Sequence, residues 1–308
     1  VLRKIVTVSV LSASLVVAGA TVASAAPTNG RIVYVKYGPG HAVRVMSVQP
    51  DGSGRLRVYE AGGFWSTGYR MALSPDGARI LLAQSHQSSD GSVYLSRLVS
   101  VDATNGGHLV VVFHAQDSFY SSIAWFPDGS GLLFSRALFG DAGDGHYRLY
   151  SSLPDGSDVV QVGTGPLFDA AMSPDLTRIA YVDGKERLGV MDADGGNPSL
   201  LVTDGRNFGP QWSPDGSTLV FTRYAAGSKN YHLSTIAPDG SGLTELFGSK
   251  RRGEGDPAWS PDGTRIVFLR SAYHRTSTDL FTVGADGSNL RRVTQDWAHE
   301  NAPQWGPA

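Results

Sequence analysis

The chain contains no cysteine. That excludes a disulfide framework, a thiolate zinc site and an acylated lipoprotein cysteine. It also lacks an excess of positive charge: 26 basic side chains stand against 28 acidic ones, and the densest basic cluster is the triplet Lys250-Arg251-Arg252. Nucleic-acid binding needs a clustered basic face and is excluded on that ground. No Gly-x-Ser-x-Gly elbow and no phosphate-cradling glycine loop occurs, so the usual marks of an acyl-transfer hydrolase or a nucleotide enzyme are missing. The eight histidines, at positions 41, 86, 108, 114, 146, 232, 274 and 299, never pair at i and i+4 as a helical zinc site requires. Long apolar runs are scarce as well. The clearest, residues 5–18, follows Arg3 and Lys4 and precedes Ala23-Ser24-Ala25. A basic start, an apolar stretch and an A-x-A site together predict a secretory signal peptide over residues 1–25, cleaved after Ala25. The stretch falls short of the ~20 residues that cross a bilayer. The expectation is a secreted or periplasmic protein with no membrane span in the mature chain.

What the sequence has in abundance is turn chemistry, with 38 glycines and 16 prolines among 308 residues. One tetrapeptide recurs. It stands as Ser74-Pro75-Asp76-Gly77, Phe126-Pro127-Asp128-Gly129, Ser173-Pro174-Asp175-Leu176, Ser213-Pro214-Asp215-Gly216 and Ser260-Pro261-Asp262-Gly263, with a truncated copy at Trp305-Gly306-Pro307-Ala308. The copies lie 40 to 52 residues apart, a period that suits four-stranded propeller blades. Ser, Pro, Asp and Gly each suit one place of a type I turn, so the motif reads as a tight hairpin. Leu176 breaks the pattern and predicts a strained turn. Apolar strands follow each copy, as in Thr264-Arg265-Ile266-Val267-Phe268-Leu269, and read as alternating.

A second turn rich in Asp and Gly closes each repeat, as in Pro154-Asp155-Gly156 and Pro238-Asp239-Gly240. Two hairpins make one blade, and six such turns predict an all-β, six-bladed propeller of four-stranded antiparallel blades over residues 30–308. The first blade lacks its innermost strand. Pro303-Gln304-Trp305 matches Pro210-Gln211-Trp212 and Pro257-Ala258-Trp259, so residues 302–308 are expected to pair with residues 31–37 and close the ring. Trp125, Trp212, Trp259 and Trp305 share one position in the repeat and read as inter-blade core.

The run Pro-x-Trp-Ser-Pro-Asp-Gly-x-x-Ile/Leu-Val-Phe at residues 257–268 and 210–221 resembles the WD40-like repeats of TolB-like propellers. The resemblance implies a fold far more sharply than a function. Such repeats occur in the periplasmic partner-binding protein TolB and in the propellers of oligopeptidases.

In a propeller, the residues entering each innermost strand face one central volume. Counting back from the tryptophan position nominates Tyr69 and Arg70 in blade two, Tyr120 and Ser122 in blade three, and Asp169 in blade four. Arg206 and Asn207 come from blade five, Glu254 and Asp256 from blade six, and His299, Glu300 and Asn301 from the closing strand. Four carboxylates against two arginines and one histidine suit a cation, a basic peptide or a polar sugar. The expected role is a monomeric binding module for a protein, peptide or polysaccharide, with no cofactor or with Ca²⁺ held by convergent oxygens. The acidic loop at residues 141–146 lacks the regular oxygen spacing of an EF-hand. The alternative is a metal-assisted lyase or hydrolase that uses His299, Glu300 and Glu254 at the channel, and it is the weaker expectation because no catalytic motif stands out.

Overall fold

The computed structural model describes residues 27–37, 43–61, 66–87, 94–116, 118–138, 147–247, 252–271, 277–295 and 298–308. The expected signal peptide and the acidic loop at 141–146 lie outside them. Every regular element among the described residues is a strand. The strands form six four-stranded antiparallel sheets. Their innermost strands are Ser66–Leu73, Ser118–Trp125, Leu167–Met172, Arg206–Trp212, Glu254–Trp259 and His299–Pro307, and each packs on its counterpart in the next blade. The result is the expected six-bladed ring.

Closure is as expected in kind and longer in extent. The C-terminal strand His299–Pro307 pairs antiparallel with Asn29–Tyr37, from Tyr37 opposite His299 to Asn29 opposite Pro307. The pairing thus begins three residues before the predicted 302. A hydrogen-bonded clasp stands beside it. The Asn29 side chain donates to Asp262 Oδ2 at 2.8 Å and accepts from the Asp262 N–H at 3.2 Å, which joins blade one to blade six.

Between each pair of neighbouring blades lies one hydrophobic cluster, six in all. The second strand of a blade is therefore covered on both faces. Residues 80–83, 132–135, 179–182, 219–222 and 266–269 are each buried four in a row, where the sequence reading expected alternation. A strand pressed between two sheets has no solvent side and no reason to alternate. Trp212 and Trp259 reach across the same interfaces: their indole N–H groups donate to Ala171 O at 3.0 Å and Gln211 O at 3.2 Å in the preceding blade.

The recurrent tetrapeptide is held by its own side chains. In blade four, Gly's place is taken by Leu176, whose N–H still donates to Ser173 O at 2.9 Å. Ser173 Oγ donates to Asp175 Oδ1 at 2.6 Å and accepts from the Arg178 N–H at 2.9 Å. The same serine, aspartate and strand bonds recur at Ser213 and Ser260. Leu176 sits at φ 61°, the left-handed conformation that costs a non-glycine residue about 1–2 kcal/mol. The strain expected from the sequence is present.

The second turns stitch the rim. A Cβ placed on Gly106, at φ 68°, would lie 2.4 Å from the carbonyl oxygen of Val58 in the preceding blade, and Gly52, Gly156 and Gly287 meet a preceding carbonyl in the same way. Gly129, in a tetrapeptide turn at φ 76°, has nothing within 4 Å. Both Gly→Ala changes carry the left-handed penalty, and Gly106→Ala adds a clash with backbone. Gly106→Ala is expected to cost at least ~1 kcal/mol more than Gly129→Ala, read as the difference in urea midpoints at unchanged slope.

The turn aspartates make stability pH-dependent. The Ser173 hydroxyl, with the N–H and hydroxyl of Thr177, holds the Asp175 carboxyl down at about 2. A depressed carboxyl stabilises the fold above its unfolded pKa of about 3.9 and loses that contribution as pH falls through its folded value. Asp175→Ala should therefore be less stable than the parent at about pH 6, and the gap in melting temperature should close towards about pH 2. A gap independent of pH would contradict this.

Candidate functional site

Each innermost strand carries one extra residue, or two in blade two, relative to its partner. The registers slip between Thr67 and Met71, Tyr120 and Ser122, Phe168 and Ala171, Phe208 and Gln211, Gly255 and Ala258, and between Asn301 and Gln304. These β-bulges stand at one level of the ring. A bulge re-aims a side chain away from the sheet's regular alternation. Here Arg70, Ser122, Asp169, Gly209, Asp256 and Ala302 all border one narrow axial cavity of about 80 Å³. Asp169, Gly209, Asp256 and Ala302 adopt φ of 47°, 54°, 50° and 47°. Three of them are not glycine, so three of the nine non-glycine residues at positive φ among the described residues stand at the channel waist.

The waist is held by bonds from blade to blade. Asp169 Oδ2 accepts from the Gly209 N–H at 3.2 Å, and Asp256 Oδ2 accepts a long bond from the Ala302 N–H at 3.4 Å. Arg70 crosses to Asp169 Oδ1 at 3.3 Å. The Asp256 side chain is open to channel solvent, yet the surrounding protein displaces bulk water. That desolvation pushes its pKa up against the lowering field of Arg70, and Asp169 adds to the rise.

The waist separates two unlike mouths. On the side where the innermost strands begin, two cavities of about 530 and 500 Å³ share Arg70, Ser121 and Tyr147. Tyr94, Phe119, Tyr120 and Asp256 line the first, and Phe168, Phe208, Asp169 and Glu186 the second. Tyr147 meets Phe119 edge-on at 6.0 Å and Phe168 at 5.5 Å, so the aromatic side chains form a collar. On the far side, a cavity of about 410 Å³ is lined by Pro75, Pro127, Pro174 and Pro214 of the recurrent turns with Trp125 and Trp212.

Eleven of the twelve nominated residues divide into three groups. Arg70, Ser122, Asp169 and Asp256 meet at the waist, and Tyr120 and Asn301 border the larger collar cavity. Tyr120 is largely core, packed on Phe113 and Phe134, and burial pushes its hydroxyl up to about 12. Asn207, Glu254 and Glu300 are buried in the walls. Asn207 donates to Glu186 O at 2.9 Å across to blade four. Glu254 lies between His232 Nδ1 at 2.9 Å and Arg270 Nε at 3.2 Å. Glu300 accepts from the Leu280 N–H at 3.0 Å and from the Thr294 hydroxyl, which fixes the closing strand to blade six. His299 and Arg206 are exposed. Arg206 pairs with Glu186 at 2.6 Å and lies over the Phe208 ring at 5.4 Å. Tyr69 is on its strand, with its side chain outside the described residues. Counting back thus found the right segment but could not separate the bulged residue from its neighbours.

Tyr120 apart, the aromatic residues of the collar were missed. The collar's signal is an aromatic residue just before the bulged position, Tyr69, Phe168 and Phe208, in three of six blades. Among the described residues no three His, Asp or Glu side chains gather as a metal ion would require. The acids named for a metal-assisted reaction, Glu254 and Glu300, are already bonded to other partners.

Comparison with known proteins agrees with this architecture. The TolB beta propeller domain family matches residues 175–308. The Tol-Pal system protein TolB of Jannaschia sp. (strain CCS1) is 31% identical over 146 residues, 44% of this chain and 29% of that protein. Its counterpart in Xanthomonas oryzae pv. oryzae (strain PXO99A) is 36% identical over 83 residues, 24% of this chain and 18% of that protein. The chain therefore spans less than a third of the length of these curated relatives. The crystal structure of TolB from Acinetobacter baumannii superposes with a TM-score of 0.72 at 19% identity, over 91% of this chain and 67% of that one, a likeness of fold. Six blades latched into a ring, with residues 175–308 matching the TolB beta propeller domain, make this chain a six-bladed β-propeller similar to that of TolB.

Proposed function

We propose that the chain is an extracytoplasmic binding module that holds an extended segment of a partner protein over the aromatic collar. The observation that carries this reading is the pair of adjoining cavities, about 530 and 500 Å³, joined at Arg70 and Tyr147 and walled by rings. Pockets of this size, lined by aromatic rings and by polar groups in about equal measure, suit side chains of a bound segment. Aromatic residues supply large contact area at little conformational cost and dominate interface energetics. Two further facts favour the reading. The matching curated relatives are named as Tol-Pal system proteins. Residues 1–25 have the pattern of an export signal, and among the described residues no helix is long and apolar enough to cross a membrane.

Peptides selected from a random display library on the full chain test the proposal. Tyr147→Ala and Phe119→Ala should each weaken the selected peptides at least ~tenfold, about 1.4 kcal/mol, with the unfolding midpoint little changed. Enrichment of no peptide, or of peptides indifferent to both substitutions, refutes it. Glu254→Ala should behave in the opposite manner. It leaves Arg270 and His232 beside an emptied buried position and is expected to cost about 3–5 kcal/mol of stability, read by urea unfolding. A stable Glu254→Ala that lost only binding would move Glu254 from the wall to the site.

A further inference from the structure

We propose that Asp256 anchors a single positively charged group, a lysine or arginine side chain of the bound segment that reaches down from the collar to the waist. The inference rests on the collar being the binding face and adds the chemistry its ligand must carry.

Charge pairing around the channel points to this residue. Glu186 is closed by Arg206, Asp183 by Arg187, Asp204 by Arg223, and Glu254 by His232 and Arg270. At the waist, Arg70 leans on Asp169. Asp256 forms no ion pair among the described residues, and its carboxylate is held only by the long bond from Ala302. Two acids and one base therefore leave the waist one negative charge in excess. That charge sits where bulk water is displaced, so an opposite charge gains more there than on an open surface. The upward pressure on the Asp256 pKa has the same origin: the carboxylate is desolvated without a contacting cation.

Shape agrees with charge. Asp256 belongs both to the waist and to the floor of the 530 Å³ cavity, whose walls include Tyr94, Phe119 and Tyr147. A lysine or arginine needs an apolar wall for its stem and an acid beyond it for its head, and a ring face adds cation–π attraction. Ser121 and Asn301 border the same cavity and offer oxygens for the remaining N–H groups. Arg70 sets the stoichiometry, since a second cation would meet its guanidinium at the shared wall.

The left-handed backbone at Asp256, φ 50°, makes a clean test possible. Asparagine tolerates that conformation, so Asp256→Asn removes the charge and keeps the bulge and its volume. The full chain is titrated with Nα-acetyl-lysine amide and with its uncharged counterpart Nα-acetyl-norleucine amide, followed by saturation-transfer NMR at low salt. Lysine amide should bind in the millimolar range and norleucine amide at least ~tenfold more weakly. Asp256→Asn should bring the two together, and Arg70→Gln should tighten lysine amide severalfold, the opposite sign. Tyr147→Leu should weaken lysine amide, whereas a bare inorganic cation would be indifferent to the ring. Equal binding of the two amides, no response to Asp256→Asn, or no response to Tyr147→Leu overturns the inference. Should Asp256→Asn fail to fold, the sign of the Arg70→Gln effect decides the matter alone. Display-selected peptides that need Tyr147 but contain no basic residue would retain the collar as binding face and discard Asp256 as its anchor. Asp256-dependent lysine binding with no peptide selected would do the reverse.

Discussion

The antiparallel pairing of His299–Pro307 with Asn29–Tyr37 is the constraint on which everything else rests. With no cysteine available, the ring is closed by strand hydrogen bonds and by the burial of Trp305 and Ile32 in the cluster between blades one and six. A side chain alternates faces along a strand, so a slip of one residue at this seam would turn Trp305 out of the core. The same slip would carry Ala302 off the level of the other five bulges and leave Asp256 without the one backbone donor that steadies it. Correct register at the outer seam and correct geometry at the axis are thus one requirement.

Ion pairs in the blades follow a division of labour. Glu254 and Glu300 are wholly buried and bonded to their neighbours; their loss is a matter of stability. Asp169, Asp256 and Arg70 face the channel, where they are strained or incompletely paired. Left-handed backbone and incomplete pairing that meet at one level around a channel are a physical mark of a place that meets a ligand. The far mouth has the contrary character, with proline and tryptophan surfaces that follow directly from the recurrent turn.

Much of this was legible in the residues. The tetrapeptide copies set the repeat period, the six second turns set the number of blades, Pro303-Gln304-Trp305 revealed the closing strand, and Leu176 announced its own strain. Those features are local and repeat, and a repeat averages away the ambiguity of any one segment. The bulges were not legible, because an extra residue in one strand shows only against its partner's register. Glu254 and Asp256 stand two apart and would share a face on a regular strand. The bulge begins between them, so one is buried against His232 while the other looks into the channel. Tyr94 and Tyr147 were invisible for a related reason: they begin the third strands Tyr94–Asp102 and Tyr147–Ser152, away from the segment that counting back from the tryptophan position reaches.

The left-handed backbone at the waist also limits how such a channel can diverge. Aspartate, asparagine and glycine accept that conformation readily, whereas branched and bulky residues do not. Positions 169 and 256 can therefore be re-tuned between a full charge, an amide dipole and bare backbone, but not filled by an aromatic or aliphatic plug. Divergence towards new ligands must then proceed by swapping polarity at the floor while reshaping the rings above it, and the bore itself stays open.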